Sequence, residues 1–154
     1  SIGIEISNPG HSSNYKSFSK QQIKSIKKLS KILIKKYKIN KKNILGHSDI
    51  APNRKKDPGE KFPWKYLAKN GIGLWHNLKE RTFKKYRCYK VDNLNQKIFL
   101  NNLYKIGYTK KIPRNVNKKQ YNIFITKAFQ RRYRQKLVNG KIDKECLIIS
   151  KNLI

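Results

Sequence analysis

Along the first seven residues the side chains alternate, with Ile2, Ile4 and Ile6 on one face and Gly3, Glu5 and Ser7 on the other. This is the period-two signature of a strand with one packed face. Glu5 therefore points away from the isoleucines, either into solvent or into a cleft. Asn8 to Asn14 is dense in turn formers and predicts a loop. His11 stands in it, as a substitute metal ligand or as an exposed loop histidine. At Ser19 the period changes. Ser19 and Gln22 form a capping-box pattern, and Ile23, Ile26, Ser30, Leu33 and Tyr37 step by three and four along one face. Leu29 and Ile34 widen that stripe, Ile32 falls opposite it, and lysines fill the rest, which predicts a sheet-covering helix. Asn40 to Asn43 turns the chain, and Ile44-Leu45 reads as a short strand ending at His47.

Phe62-Pro63-Trp64 opens a short helix that closes at Asn70-Gly71 with a left-handed cap. His76 reads as a surface residue, and the polar, basic stretch Asn77 to Asn93 as a linker. From Leu94 the helical period returns. Phe99, Leu100, Leu103 and Ile106 share a face and Gly107 stops the helix. Asn115 or Asn117 caps a second helix with the stripe Tyr121, Phe124, Ile125, Ala128 and Phe129, Ile123 being its exception. After a turn at Asn139-Gly140, Asp143 caps a third helix through Cys146, Leu147 and Ile148. The expected fold class is α/β, with a partial mixed sheet covered by helices in residues 1–76, a linker over 77–93 and a small three-helix bundle over 94–154.

Composition adds one unusual quantity. Lys and Arg number 38 against 8 Asp and Glu in 154 residues, a formal net charge of +30. Such an excess suits a polyanionic partner, either nucleic acid or an anionic envelope polymer. The lysines are spread along the chain in company with Asn and Ile rather than gathered into an Arg-rich stripe. That distribution also fits compositional drift, and both readings stand. Cys88 and Cys146 show no ligand spacing and read as two buried thiols. No apolar run approaches a membrane span and no signal segment opens the chain. The sequence has no Met and enters a strand pattern at Ser1, so the expectation is a chain that starts inside a domain.

The densest chemistry lies between Gly46 and Trp64, in the run Gly-His-Ser-Asp-Ile-Ala-Pro-Asn-Arg-Lys-Lys-Asp-Pro-Gly-Glu-Lys-Phe-Pro-Trp. It sets an imidazole (His47), an ammonium (Lys55) and a carboxylate (Asp57) on a loop stiffened by Pro52, Pro58 and Pro63. Histidine nitrogen and aspartate oxygen are ordinary zinc ligands, and a catalytic zinc takes three protein ligands and keeps an open position. Asp49 reads as a loop-structuring group or one that supports the ligands.

This run closely resembles the zinc-dependent N-acetylmuramoyl-L-alanine amidases, in the branch related to peptidoglycan recognition proteins. The resemblance extends to Ser-Ile-Gly-Ile-Glu-Ile at the start and to Gly71-Ile72-Gly73-Leu74-Trp75. It implies Zn2+ held by His47 and Asp57, catalysis by Glu5 and Lys55, and peptidoglycan muropeptides as substrate, in a bacterial cell envelope. The run Ala-Phe-Gln-Arg-Arg-Tyr-Arg before Asn-Gly-Lys-Ile-Asp resembles the small peptidoglycan-binding domain that follows the amidase domain in this branch. It leaves Arg131, Arg132 and Arg134 either on anionic polymer or on a solvated face. The family's first zinc-binding histidine lies on a strand well before the Glu segment and has no counterpart here, so the resemblance implies an N-terminally truncated amidase. The alternative is a non-catalytic remnant that binds peptidoglycan or another polyanion.

If the charge reflects drift, binding to duplex DNA is weak, indifferent to sequence and steeply lost as salt rises, because only counterion release drives it. Filter binding at two salt concentrations checks this. Selective binding that persists at high salt would mark nucleic acid as the partner.

Overall fold

The computed structural model describes residues 1–154 and contains seven α-helices and no β-sheet. The first helix, α1 (Lys20–Tyr37), is closed at its N-terminus by a capping box. Ser19 Oγ accepts from the Gln22 amide at 3.1 Å, and Gln22 Oε1 accepts from the Ser19 amide at 2.8 Å. Its C-terminus ends on Lys38 in the left-handed region. Ile26 and Ser30 are buried, whereas Leu29, Ile32 and Tyr37 stay exposed, so the packed stripe is narrower than the sequence suggests.

Two short helices follow, α2 (His47–Ile50) and α3 (Trp64–Lys69), then α4 (Glu80–Phe83), α5 (Asn93–Lys105), α6 (Lys118–Tyr133) and α7 (Lys144–Asn152). The last three start on side-chain caps. Asp92, Asn117 and Asp143 accept from the amides of Asn95, Gln120 and Cys146. No helix is long and apolar enough to cross a membrane.

Two hydrophobic clusters organise these elements. Ile26 of α1 packs with Phe62, Trp64, Leu67 and Ile72, flanked by Ile6, Phe18 and Ile44. The larger cluster gathers Phe99 and Leu103 of α5, Tyr121, Ile125 and Phe129 of α6, and Cys146, Leu147 and Ile149 of α7. Phe99 and Phe129 meet edge to face at 5.1 Å. Each such fully buried side chain contributes about 1.5–3 kcal/mol. Trp75 packs against both clusters.

The expected mixed sheet is absent. The only β-type pairing is an isolated bridge between Lys90 and Asp143. Ser1 to Ser7 forms no strand, and Ile2 and Ile4 are 52% and 39% exposed. A strand exists only as a member of a ladder, and neither this segment nor Ile44-Leu45 finds a partner backbone among these residues.

Other expectations also change. Residues 77–93 contain α4, whose Phe83 is buried in the larger cluster with Leu78 and Val91 against it. Arg132 and Arg134 are 3% exposed and ion-paired, neither solvated nor free for polymer. Arg134 bonds Asp143 at the start of α7, while Arg87 makes a bidentate pair with Glu145 at 2.7 Å for each bond. Sequence periodicity does not register such pairs because each partner lies on a different element, 83, 58 and 9 residues away for Arg132, Arg87 and Arg134. Of the two cysteines, Cys146 is buried, with its thiol pushed up to about 12 by burial, and Cys88 is exposed at a left-handed turn.

His76 is buried rather than on the surface, its ring at 5.1 Å from Trp75 and 5.2 Å from Phe83. Burial, reinforced by the nearby Lys65 charge, lowers its pKa from 6.5 to about 4. Above 6.5 the imidazole is neutral folded or unfolded. As pH falls, the unfolded chain takes up a proton that the folded chain refuses until about 4, so stability is lost across that window. Denaturant unfolding at the two ends of the window should show a larger stability loss in the native chain than in His76→Leu. Equal losses would show that His76 titrates normally.

Candidate functional site

The loop from Gly46 to Phe62 builds itself before it binds anything. Asp49 sits at the third position of α2, and its Oδ2 accepts the Gly46 amide at 2.9 Å, closing the turn that begins at His47. The Ser48 amide donates to the Asp57 carbonyl at 2.9 Å, and the Arg54 and Lys55 amides both donate to the Ala51 carbonyl. These bonds fold the loop back on itself, so residues 47 and 57 meet. His47 Nδ1 lies 3.0 Å from Asp57 Oδ2, with both side chains about half exposed.

On the far side of Asp57, Tyr15 pins the loop. Its hydroxyl donates to the Pro58 carbonyl at 2.7 Å and accepts from the Lys61 amide at 2.9 Å. Burial raises the phenol's pKa to about 12, so it remains a donor. Gly59 lies directly beneath it at φ +81°, and a Cβ there would come within 2.5 Å of the Tyr15 oxygen. His11 stacks on Tyr15 and pairs with Glu60 at 3.0 Å. It is thus engaged with the loop's outer end rather than with His47. The Glu60 carboxyl titrates below its usual range: burial acts to raise it, but the His11 hydrogen bond and the His11 and Arg131 charges prevail.

Of the four residues expected to carry chemistry, the structure brings together His47 and Asp57. Lys55 is half-buried on the same loop, and its ammonium makes no hydrogen bond or ion pair. Glu5 is exposed on the N-terminal segment and is likewise unpaired. As a metal site, the pair offers one imidazole and one carboxylate in hydrogen-bond contact, two of the three donors a catalytic zinc takes. No group of three or more His, Cys, Asp or Glu side chains comes together.

Beneath the loop lie groups that sequence reading did not associate with it. Arg132 of α6 donates Nη1 to Asp49 Oδ2 at 2.5 Å and Nη2 to the Ile44 carbonyl at 3.0 Å. Its guanidinium lies 4.2 Å from the Trp64 ring centroid, and the Tyr108 hydroxyl donates to Asp49 Oδ1 at 2.7 Å. Burial works against the Arg132 charge, but Asp49 opposite it outweighs burial and raises the pKa. Burial and the Asp49 charge raise the Tyr108 pKa well above that of a free phenol. One signal was available. Arg132 continues the Tyr121–Ile125–Phe129 stripe at helical spacing, and a cation on a packed stripe calls for a buried acceptor.

Comparison with known proteins finds similarity over a segment that includes most of this loop. Residues 1–60 match the N-acetylmuramoyl-L-alanine amidase family model, Amidase_2. The chain is 34% identical to the N-acetylmuramoyl-L-alanine amidase AmiD of Escherichia coli (strain K12), over all of this chain and 56% of the relative. It is 44% identical to the 1,6-anhydro-N-acetylmuramyl-L-alanine amidase AmpD of Haemophilus influenzae, over 44% of this chain and 35% of that protein. Among solved structures, AmiD from E. coli in complex with anhydro-N-acetylmuramic acid-L-Ala-D-gamma-Glu-L-Lys superposes with a TM-score of 0.76 at 32% identity, covering 92% of this chain and 54% of that one. AmpDH3 from Pseudomonas aeruginosa gives 0.72 at 31% identity, covering 91% and 54%. The chain thus spans about half the length of AmiD and of AmpDH3. Through residues 1–60 it is similar to the N-acetylmuramoyl-L-alanine amidase family.

Proposed function

We propose that this chain is the site-bearing part of a peptidoglycan hydrolase that cleaves the amide between the N-acetylmuramoyl lactyl group and L-alanine. The observation that carries the reading is the His47–Asp57 contact at 3.0 Å, on a loop that falls within the family match together with Glu5 and Lys55. Muropeptide is the proposed substrate, in line with the peptide in the AmiD complex. His47 and Asp57 would hold Zn2+, with a further donor from outside the set assembled here. When bound, the ion supplies Lewis acidity and lowers the pKa of water at the site.

The chain's own residues account for the remaining steps. Glu5 takes the proton of the attacking water and returns it to the departing alanine nitrogen, general acid–base work typically worth about 10²–10⁴-fold. Lys55 offsets the negative charge that develops on the carbonyl oxygen, a contribution of about 3 kcal/mol in comparable sites. The loop bonds from Ser48, Arg54 and Lys55 hold the spacing between His47 and Asp57. In this reading residues 1–76 are the later part of a catalytic domain and 94–154 a helical unit that engages peptidoglycan, with 77–93, which carry α4, packed against that unit. A second reading, a non-catalytic peptidoglycan-binding module, is favoured by the two-donor pair alone.

The two separate in a muropeptide cleavage assay on the chain, with and without the AmiD segment that precedes the matched region fused upstream. Hydrolysis is expected in the fused form, with Glu5→Gln reducing kcat by about 10²–10⁴-fold and Lys55→Ala by about 10²–10³-fold. Retention on sacculi above that of a charge-matched control, with no cleavage in either form, would favour the binding module. Activity indifferent to Glu5→Gln and Lys55→Ala would remove their assigned roles.

A further inference from the structure

The last turn of α6 and the residues just after it contact the loop at three separate points. Arg131 Nε stands 3.9 Å from Glu60 Oε2, at the loop's outer end. Arg132 bonds Asp49 and the Ile44 carbonyl, on either side of His47. Gln135 donates Nε2 to the Phe62 carbonyl at 2.6 Å, where the loop closes into α3. Tyr108, from the segment after α5, adds a fourth contact through Asp49. The anchors thus come from residues 108–135 and act on residues 44–62.

We propose that Arg132 and Tyr108 are positioning residues for His47: they clamp Asp49, and Asp49 clamps the turn on which His47 stands. The C-terminal helices are then a built-in part of the hydrolytic site, beyond any affinity they have for peptidoglycan. This rests on the amidase reading for its functional meaning, but its geometry stands apart from it.

Asp49 is the second residue after His47 and is 4% exposed, whereas His47 is about half exposed. The half-exposed His47 ring is held little by packing, so its place is set by its contact with Asp57 and by the backbone that carries it. That backbone is fixed from below by one carboxylate with three donors: the Gly46 amide and Arg132 on Oδ2, and the Tyr108 hydroxyl on Oδ1. Two of the three come from the C-terminal half of the chain, Arg132 from α6 and Tyr108 from the segment that follows α5. The guanidinium is itself confined between Asp49 and the Trp64 ring. A Cβ on Gly73 would come within 3.2 Å of its Nη2 and 3.6 Å of Trp64, so the family-like Gly71-Ile72-Gly73 run leaves room for this arginine. Misplacing a catalytic group by about 1 Å can cost on the order of a hundredfold in rate, so support of this kind bears directly on chemistry.

The three histidines provide the test, because His47 rides on the clamped turn while His76 lies in the other cluster beside Phe83. In nuclear magnetic resonance spectra of the full chain at constant pH, Tyr108→Phe removes one hydroxyl and keeps the ring, and Arg132→Met removes the charge. The expected result is a His47 ring signal shifted toward that of free histidine and a Gly46 amide exchanging about 5- to 10-fold faster in Tyr108→Phe, and faster still in Arg132→Met. His76 and the α7 amides should stay unmoved. Arg132→Lys should fall between, since lysine keeps the charge but not the fork that reaches both Asp49 and Ile44. If Arg132→Met does not fold, Tyr108→Phe decides alone. A His47 ring signal unchanged in the variants, with or without a faster Gly46 amide, would overturn the proposal. So would His76 and α7 moving as much as the site. Failure of the amidase reading would show as absent cleavage with these signals still responding.

Discussion

A carboxylate that is 4% exposed has to be answered by a positive charge, and Asp49 is answered by Arg132, itself 3% exposed, from 83 residues further along the chain. Removing one partner from such a pair strands a buried charge, at a cost of about 3–5 kcal/mol. Much else follows from this constraint. It fixes α6 against the loop, seats the guanidinium on Trp64 and thereby ties the two hydrophobic clusters together, and closes the turn that presents His47. Around it, the Tyr15 hydroxyl, the Glu60 carboxylate and the Phe62 carbonyl are secondary fixings along the same loop. His47 and Asp57 are exposed, and what fixes the turn beneath His47 is buried.

That division explains what could be read from the sequence. Helix starts were legible because a cap and its partner lie three residues apart: Ser19 with Gln22, Asn117 with Gln120 and Asp143 with Cys146 all form as the spacing implies. The α5 and α6 stripes were legible for the same reason, the helical period being a local property. The contact between His47 and Asp57 was legible from a loop that turns back on itself within eleven residues. Strands were not, because alternation in Ser1 to Ser7 reports which side chains share a face and says nothing of whether another backbone lies alongside. His76 was misplaced because its burial depends on Phe83, seven residues further along, as well as on the adjacent Trp75. Arg132 and Arg134 look like surface cations in any window that omits Asp49, Asp143 and Glu145.

The charge has a similar structure. Eight acidic residues face 38 basic ones, yet the acids in the interior are committed, Asp49 to Arg132, Asp143 to Arg134 and Glu145 to Arg87. The surplus lysines lie on exposed faces such as that of α1, where they govern long-range attraction to anions without specifying the fold. An arginine at a buried position and a lysine at an exposed one therefore carry different information here. Arginine's planar fork meets two acceptors at once, as Arg132 and Arg87 both do, whereas the lysines act as hydrated point charges.

The coupling between Asp49 and Arg132 is measured directly by a double-mutant cycle on unfolding free energy, using Asp49→Asn, Arg132→Met and the two combined. If this pair organises the site, each single change costs about 3–5 kcal/mol and the double costs clearly less than their sum, because the second change no longer strands a buried charge. Costs that simply add would contradict it, and would mean that α6 and the His47 turn are held together by something other than this ion pair.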